Sequence, residues 1–276
     1  MTTTTTTVTV PDPAYVKPST LSNGFLTLNP STKHYDDPFD QLSGDLVETA
    51  LAMLSKADIP LIPWGSLLYR SLGVPKVLLH YQFFVPDELL DLASSIISAT
   101  HLPLTPPPPL LVDTVGDLIT KGYLHRLTHA TVPGAVQYLH LLPLSFAGFR
   151  TSELVEEHHP SYTLSVPRPS AVYACLLRIM ASYPRRNSPV RGYLEAELEL
   201  LVNYHLIDLQ IGYLDSEDEE SWDALGMDAK VENAACTVSS WGAAGEWRCG
   251  EEWMGDALVA IIRGNGDVGE LPWTDQ

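Results

Sequence analysis

The chemistry-bearing side chains that stand at usable spacings are few. Gly65-Ser66 lies where a short apolar run gives way to helical spacing. Backbone amides at such a helix start hold a phosphate or another anion, and the plainer alternative is a steric turn with a serine near the helix start. His80 and Gln82 are two residues apart in a run that reads as strand, so both point to one face. His140 sits in a second apolar run, and with His80, His158 or His159 it could offer imidazole nitrogen to zinc, nickel or copper. Histidines from separate strands more often make ordinary hydrogen bonds, and His158-His159 before Pro160 reads most simply as an exposed turn. Asp87, Asp113 and Asp117 are the carboxylates at hand, yet Asp87 is better explained as a helix cap. Trp64 ahead of a helix is either a stacking surface or, more commonly, a packing residue. Cys175 lies in an apolar helix, where a thiol is buried and inert. A serine hydrolase has little support, because no Gly-x-Ser-x-Gly elbow occurs.

The elements that must carry these residues follow from hydrophobic periodicity. Residues 1–42 are rich in Thr, Pro, Ser and Asp and read as an irregular arm. Leu46, Val47, Ala50, Leu51 and Leu54 mark a first amphipathic helix, with Ser43 and Gly44 as start signals. Ile59 to Trp64 reads as a strand, Leu67 to Leu72 as a helix closed by Gly73, and Lys76 to Val85 as a second strand. Pro86-Asp87 ends it, with Asp87 expected to cap the helix that carries Leu89, Leu90, Ala93, Ile96 and Ile97. Pro106 to Pro109 must be surface loop, and Val136 to Leu144 is a further buried strand. From Ala171 the pattern is helical: Ala171 to Tyr183, a long helix from about Val190 to Tyr213, an acidic block Asp215 to Glu220, and Glu251 to Arg263.

Composition narrows the partners. The 276 residues, 45% hydrophobic, can bury a core without disulfide or metal. Sixteen basic against 34 acidic residues give a charge of -18, which repels phosphate backbones and anionic lipid. Neither nucleic acid nor membrane is an expected partner; a cluster of Arg185, Arg186 and Arg191 is the one local exception. Three distant cysteines without zinc spacing indicate a reduced, cytoplasmic setting. The threonine run at the start lacks the features of a secretory signal, and no stretch reaches the ~18 apolar residues of a spanning helix.

From Ile59 to Ile97 the order of these features resembles the nucleotidyltransferase superfamily, and in particular its uncharacterised fungal members. In that superfamily a Gly-Gly or Gly-Ser turn opens a helix, and the next strand carries an Asp-x-Asp pair. Here Gly65-Ser66 is the turn, Gly73-Val74-Pro75 follows the helix, Leu78 to Val85 supplies the strand, and Val85 to Glu88 leads into the next helix. The resemblance covers about two-thirds of the chain. It implies that His80 and Gln82 occupy the two carboxylate positions and His140 the third. Magnesium prefers carboxylate oxygens, so an imidazole and a neutral amide there remove the usual two-metal site.

The sequence therefore predicts an α+β protein: a small mixed β-sheet of nucleotidyltransferase-like type flanked by helices, with a helical C-terminal half. Residues 43–168 would form the core and 169–276 a helical part packed on it. The expected role is a catalytically degenerate binding or accessory protein with a protein partner or small ligand, and with Gly65 and Ser66 as ligand-binding residues. No resident metal or cofactor is expected; magnesium or a nucleotide enters only if the site is active. Two alternatives stand beside this reading: an active transferase using a non-standard metal or nucleotide site around Gly65, Ser66, His80, Gln82 and His140, and a partner-binding protein using its acidic surface.

Overall fold

A computed structural model of the chain describes residues 37–132, 134–184, 186–209 and 219–271. Most of the irregular arm expected over residues 1–42, Arg185, the end of the long helix and most of the acidic block lie outside the described residues.

The apolar spacing near residue 46 becomes helix α1 (Ser43–Lys56), which buries Leu46, Val47, Ala50, Leu51 and Leu54. Strand β1 (Ile62–Trp64) runs into helix α2 (Gly65–Ser71), and strand β2 (His80–Val85) follows the turn at Gly73. After α2 the amide of Gly73 bonds Arg70 O and that of Val74 bonds Tyr69 O, a helix end that Gly73 permits with φ at +89°. Helix α3 (Leu90–Ala99) comes next, then helix α4 (Pro109–Val115), strand β3 (Tyr123–Arg126) and strand β4 (Tyr138–Pro143). Pro109 is thus the first helical residue of α4 and not loop, a position where a missing amide proton costs nothing.

The four strands form one mixed sheet in the order β1-β2-β4-β3. The outer pairs are antiparallel and the central pair, β2 with β4, is parallel. Alternation along β2 and β4 sends Phe83, Val85, Leu139 and Leu141 to one face, where they pack with α1 and with Ala93 and Ile97 of α3. Phe84 and Leu142 go to the other face and join Trp64 in a larger core with the C-terminal helices. Both faces of the sheet are therefore covered. This is the α+β arrangement with a small mixed sheet that the sequence predicts.

The second half opens with a one-turn helix α5 (Leu144–Ala147) and a hairpin of β5 (Leu154–His158) and β6 (Thr163–Pro167). The hairpin and β3 escape sequence reading because β5 is almost wholly exposed and β3 carries His125 and Arg126 among its four residues. Helices α6 (Pro169–Ala181), α7 (Pro189–Leu201), α8 (Glu219–Ala224), α9 (Met227–Ala243) and α10 (Trp253–Ile262) complete the fold. The long helix predicted from Val190 to Tyr213 instead gives way to a π-turn over Val202–Leu206, where the Tyr173 hydroxyl lies 3.1 Å from Leu201 O and 2.9 Å from His205 Nδ1. Helix α9 has no sequence stripe because the residues it buries are chiefly small, Ala234, Ala235 and Val238 beside Met227.

Two predicted side-chain roles are also overturned. Arg191 belongs to no surface patch: its side chain is buried and bonds Glu195 at 2.7 Å, Met180 O at 3.2 Å and Gly269 O at 3.3 Å. Asp87 does not cap its own helix. Its carboxylate accepts from the amide and hydroxyl of Ser145 at 2.9 and 2.5 Å, so it caps α5 and ties the end of β2 to the end of β4.

Residues 76–79, predicted as strand, precede β2, and the first of them is held by an ion pair. Lys76 Nζ bonds Glu197 of α7 and lies 5.6 Å from the Tyr69 ring centre and 5.9 Å from that of Tyr193. Glu197 is only 3% exposed, so removing the lysine strands a buried carboxylate. Lys76→Met is expected to lower unfolding free energy by roughly 3 kcal/mol in urea titrations, and Lys76→Met with Glu197→Met to recover most of it. Additive losses in the double variant would refute the pairing.

Candidate functional site

The backbone sets the site through one row of the sheet. Trp64 of β1 faces Gln82 of β2, Gln82 faces His140 of β4, and His140 faces Leu124 of β3. One step along, His80 faces Tyr138. Register partners share a face, so Trp64, His80, Gln82, Tyr138 and His140 all point to the same side of the sheet. The three positions that the resemblance assigns to carboxylates are brought together by the fold.

Gly65 follows directly on Trp64 with φ at +61°. A Cβ at this position would collide with Oε1 of Gln82, so the Gln82 amide lies against the glycine backbone at the turn. Ser66 is half-buried at the first turn of α2. Trp64 itself is 2% exposed and packs within 6.0 Å, centre to centre, of the rings of Tyr69, Phe84 and Phe149. It is a core residue rather than a stacking surface.

His140 is fully buried. Its Nε2 lies 2.7 Å from Lys121 O, and a carbonyl only accepts, so Nε2 carries the proton. The remaining nitrogen, Nδ1, is a buried lone pair without a partner among the described residues. Burial drives the His140 pKa down to about 4, against the pull of the Lys121 carbonyl. Burial likewise brings His80 down to about 4, and its Nδ1 also lacks a partner among the described residues. At neutral pH the row carries no charge.

The face is covered at the β3–β4 side. Leu111 and Val112 of α4 pack with Ile119 on Leu124 and Tyr138. Beyond this cover, next to His80, lies a cavity of about 300 Å³ lined by His80, Tyr138, Leu111, Val136, Thr105 and Arg126, among others. The Arg126 guanidinium is engaged by the carbonyls of Thr128, His129 and Ala130 and fixes the cavity wall.

Tested against a divalent metal, the donors do not fit. His140 has committed one nitrogen to Lys121, Gln82 is a neutral amide pressed on Gly65, and magnesium wants several hard, charged oxygens. Among the described residues no group of three or more His, Cys, Asp or Glu could hold a metal ion. Asp87 is spent on Ser145, Asp117 pairs with Lys121 at 3.0 Å, and Asp113 lies exposed on α4. His158 bonds Thr163 at 3.1 Å within the β5–β6 hairpin, on a different sheet. Cys175 is buried and its thiol is pushed up by burial, which keeps it protonated. Sequence reading missed Tyr138, although its alternation with His140 and Leu142 carried the signal. It also missed Lys121, for which no signal existed.

Two outcomes follow. In Gly65→Ala the added methyl meets Gln82 at a backbone angle alanine disfavours, with an expected loss of about 2–4 kcal/mol. Gln82→Ala in that background should return the steric part and leave about 1 kcal/mol of backbone strain. Equal losses with and without Gln82, by urea titration, would exclude the contact. For His140, a folded pKa of about 4 against the ordinary value of 6.5 means that the unfolded chain binds the proton first. Stability from this group is complete above about pH 6.5 and is lost as pH falls toward 4, by up to ~1.4 kcal/mol per pH unit. His125 and His205 are also pushed down by burial, so the difference from a His140→Gln variant is the measurement. The variant's stability profile should be flatter by about one proton between pH 4.5 and 6; parallel profiles would contradict the assignment.

No family model and no curated protein matches the chain. Among solved structures, similar chains include the solution structure of the antibiotic-resistance factor ANT(2'')-Ia, at 12% identity and a TM-score of 0.36 over 73% of this chain and 94% of that one. Another is the crystal structure of an antigenic nucleotidyltransferase-like protein from Paracoccidioides brasiliensis, at 11% identity and a TM-score of 0.35 over 74% of this chain and 93% of that one.

Proposed function

We propose that this chain is a catalytically degenerate nucleotidyltransferase-like protein that acts by binding. The observation that carries the reading is the row Trp64, Gln82, His140 with His80 beside it. It supports the scaffold because a glycine turn, a helix and two central strands bring these positions to one face. It speaks against nucleotidyl transfer because every side chain at a carboxylate position is neutral and His140 is fully buried. Transfer of a nucleotidyl group needs metal to neutralise the phosphates and to activate the acceptor oxygen. Two imidazoles and an amide do not supply that site.

Gly65 and Ser66 are the ligand-facing residues of the turn under this reading, although Gln82 takes the space directly over Gly65. The cavity beside His80, at about 300 Å³, is at the lower limit for a small-molecule pocket. Its leucine, valine and proline lining suits a ligand with an apolar body, with His80 and Tyr138 at one wall. No helix among the described residues is long and apolar enough to cross a membrane, and the charge of -18 disfavours nucleic acid.

The test is turnover. With ATP, CTP, GTP or UTP and either Mg²⁺ or Mn²⁺, pyrophosphate release is expected to stay at the level of the protein-free control, for the natural chain and for Gln82→Ala alike. Robust release that disappears in Gln82→Ala would establish the active alternative in its place.

A further inference from the structure

A second cavity, of about 220 Å³, lies where three segments meet: the turn at 150–153, the start of α6, and the loop at 244–248 after α9. None of Gly65, Ser66, His80, Gln82 or His140 lines it. Its polar wall is made by Arg150, Arg168, Arg248, Ser170, Glu153 and Glu246.

The charges here divide into a fixed set and a free set. Glu153 is buried, and its carboxylate is saturated. Oε1 accepts from Arg178 at 3.0 Å and Arg248 at 2.7 Å, while Oε2 accepts from Arg248 at 2.6 Å and from the Arg150 amide at 2.8 Å. Burial pushes the Glu153 carboxyl up, but the bonds from Arg248 and the Arg150 amide, with the charges of Arg178 and Arg248, outweigh it and hold its pKa below the ordinary value. Arg178 is held in turn by Glu251 at 2.8 Å through two nitrogens. Glu246 accepts from the Ser170 hydroxyl. Glu153 thus anchors Arg248 in one orientation at the cavity wall, with that anchoring carboxylate fully used.

Arg150 and Arg168 are different. Both are exposed, and neither has a carboxylate within ion-pair distance among the described residues. In a chain with 34 acidic and 16 basic residues, two arginines facing one cavity without a counter-ion is the reverse of what chance pairing produces. Around the cavity four guanidinium groups stand against three carboxylates, inside a protein whose overall charge is -18. The first turn of the 13-residue helix α6, with Pro169 at its start, adds positive backbone potential on the same side.

We propose that this cavity binds the phosphoryl group of a small phosphorylated molecule, with Arg150 and Arg168 closing on it and Arg248 as the fixed floor. Guanidinium forks match phosphate oxygens two at a time, and a dianion supplies the charge that two unpaired cations lack. The size selects the class. At about 220 Å³ the cavity takes a phosphoryl group with a small body and is too small for a nucleoside triphosphate.

The test uses the full chain and inorganic phosphate, titrated by calorimetry at low ionic strength against chloride of matched strength. One saturable site is expected, weakened at least about tenfold in Arg150→Gln and in Arg168→Gln, since each removes a charge-assisted pair of bonds. Both side chains are exposed, so far-ultraviolet circular dichroism and the urea midpoint should not move. As a second readout on the natural chain, the amide resonances of Ser170 and Ala171 should shift with phosphate and saturate at the same concentration. The proposal is overturned by an absence of saturable binding, by affinity unchanged in both variants, or by acetate binding as tightly as phosphate, which would make the site one for carboxylates. Glycerol phosphate binding more tightly than inorganic phosphate would support the small organic body.

Discussion

The central sheet is covered on both faces, and that constraint governs which side chains the middle of the molecule tolerates. On one side α1 and α3 seal it with Phe83, Val85, Leu139 and Leu141. On the other the C-terminal helices pack on Trp64, Phe84 and Leu142, while Leu111, Val112 and Ile119 lie over Leu124 and Tyr138. A carboxylate placed in such a setting must find a cation, a metal or water, because an uncompensated buried charge costs several kcal/mol. The side chains present meet the constraint differently. Gln82 is neutral, and burial keeps His80 and His140 neutral at pH 7. The face is thus uncharged at neutral pH, and it opens beside His80 and Tyr138, where the cavity lies.

Charge reappears at the edges of the core in three bonded groups. Lys76 and Glu197 join the turn after α2 to α7. Arg191 ties α7 to the carbonyls of Met180 and Gly269. Arg178, Glu153, Arg248 and Glu251 link α6, the turn before β5 and the start of α10. Each group connects segments distant in sequence, so these pairs fix how the C-terminal helices sit on the sheet. Apolar contact supplies most of the stabilisation there, and the ion pairs specify register, since a slipped helix would leave a buried charge alone.

How much of this was legible follows the same physics. Alternation and helical spacing gave α1, α2, β2, α3, β4, α6 and α10, because each of them carries large apolar residues at a regular spacing. They failed for α9, whose buried residues are chiefly alanine and valine, and for β5, which buries almost nothing. The pairing of His80, Gln82 and His140 on one face was readable from residue types two apart and from the resemblance. The row itself, in which Gln82 stands between Trp64 and His140, was not, since register across a parallel pair depends on a long crossover. Nor could a sequence show that the Asp87 carboxylate reaches Ser145, 58 residues on, or that Glu153 collects two arginines from α6 and the loop after α9.

Gly65 shows how packing alone can require a turn pattern. Its left-handed backbone angle is required by the sharp passage from β1 into α2, and its missing side chain is required by the Gln82 amide lying against it. Both requirements are steric, and neither involves a phosphate. Packing alone is therefore enough to require a glycine here, and its presence tells of the fold whatever the chemistry. What would tell of the chemistry is charge on the neighbouring strands, and there the chain places an amide and two imidazoles that burial keeps neutral.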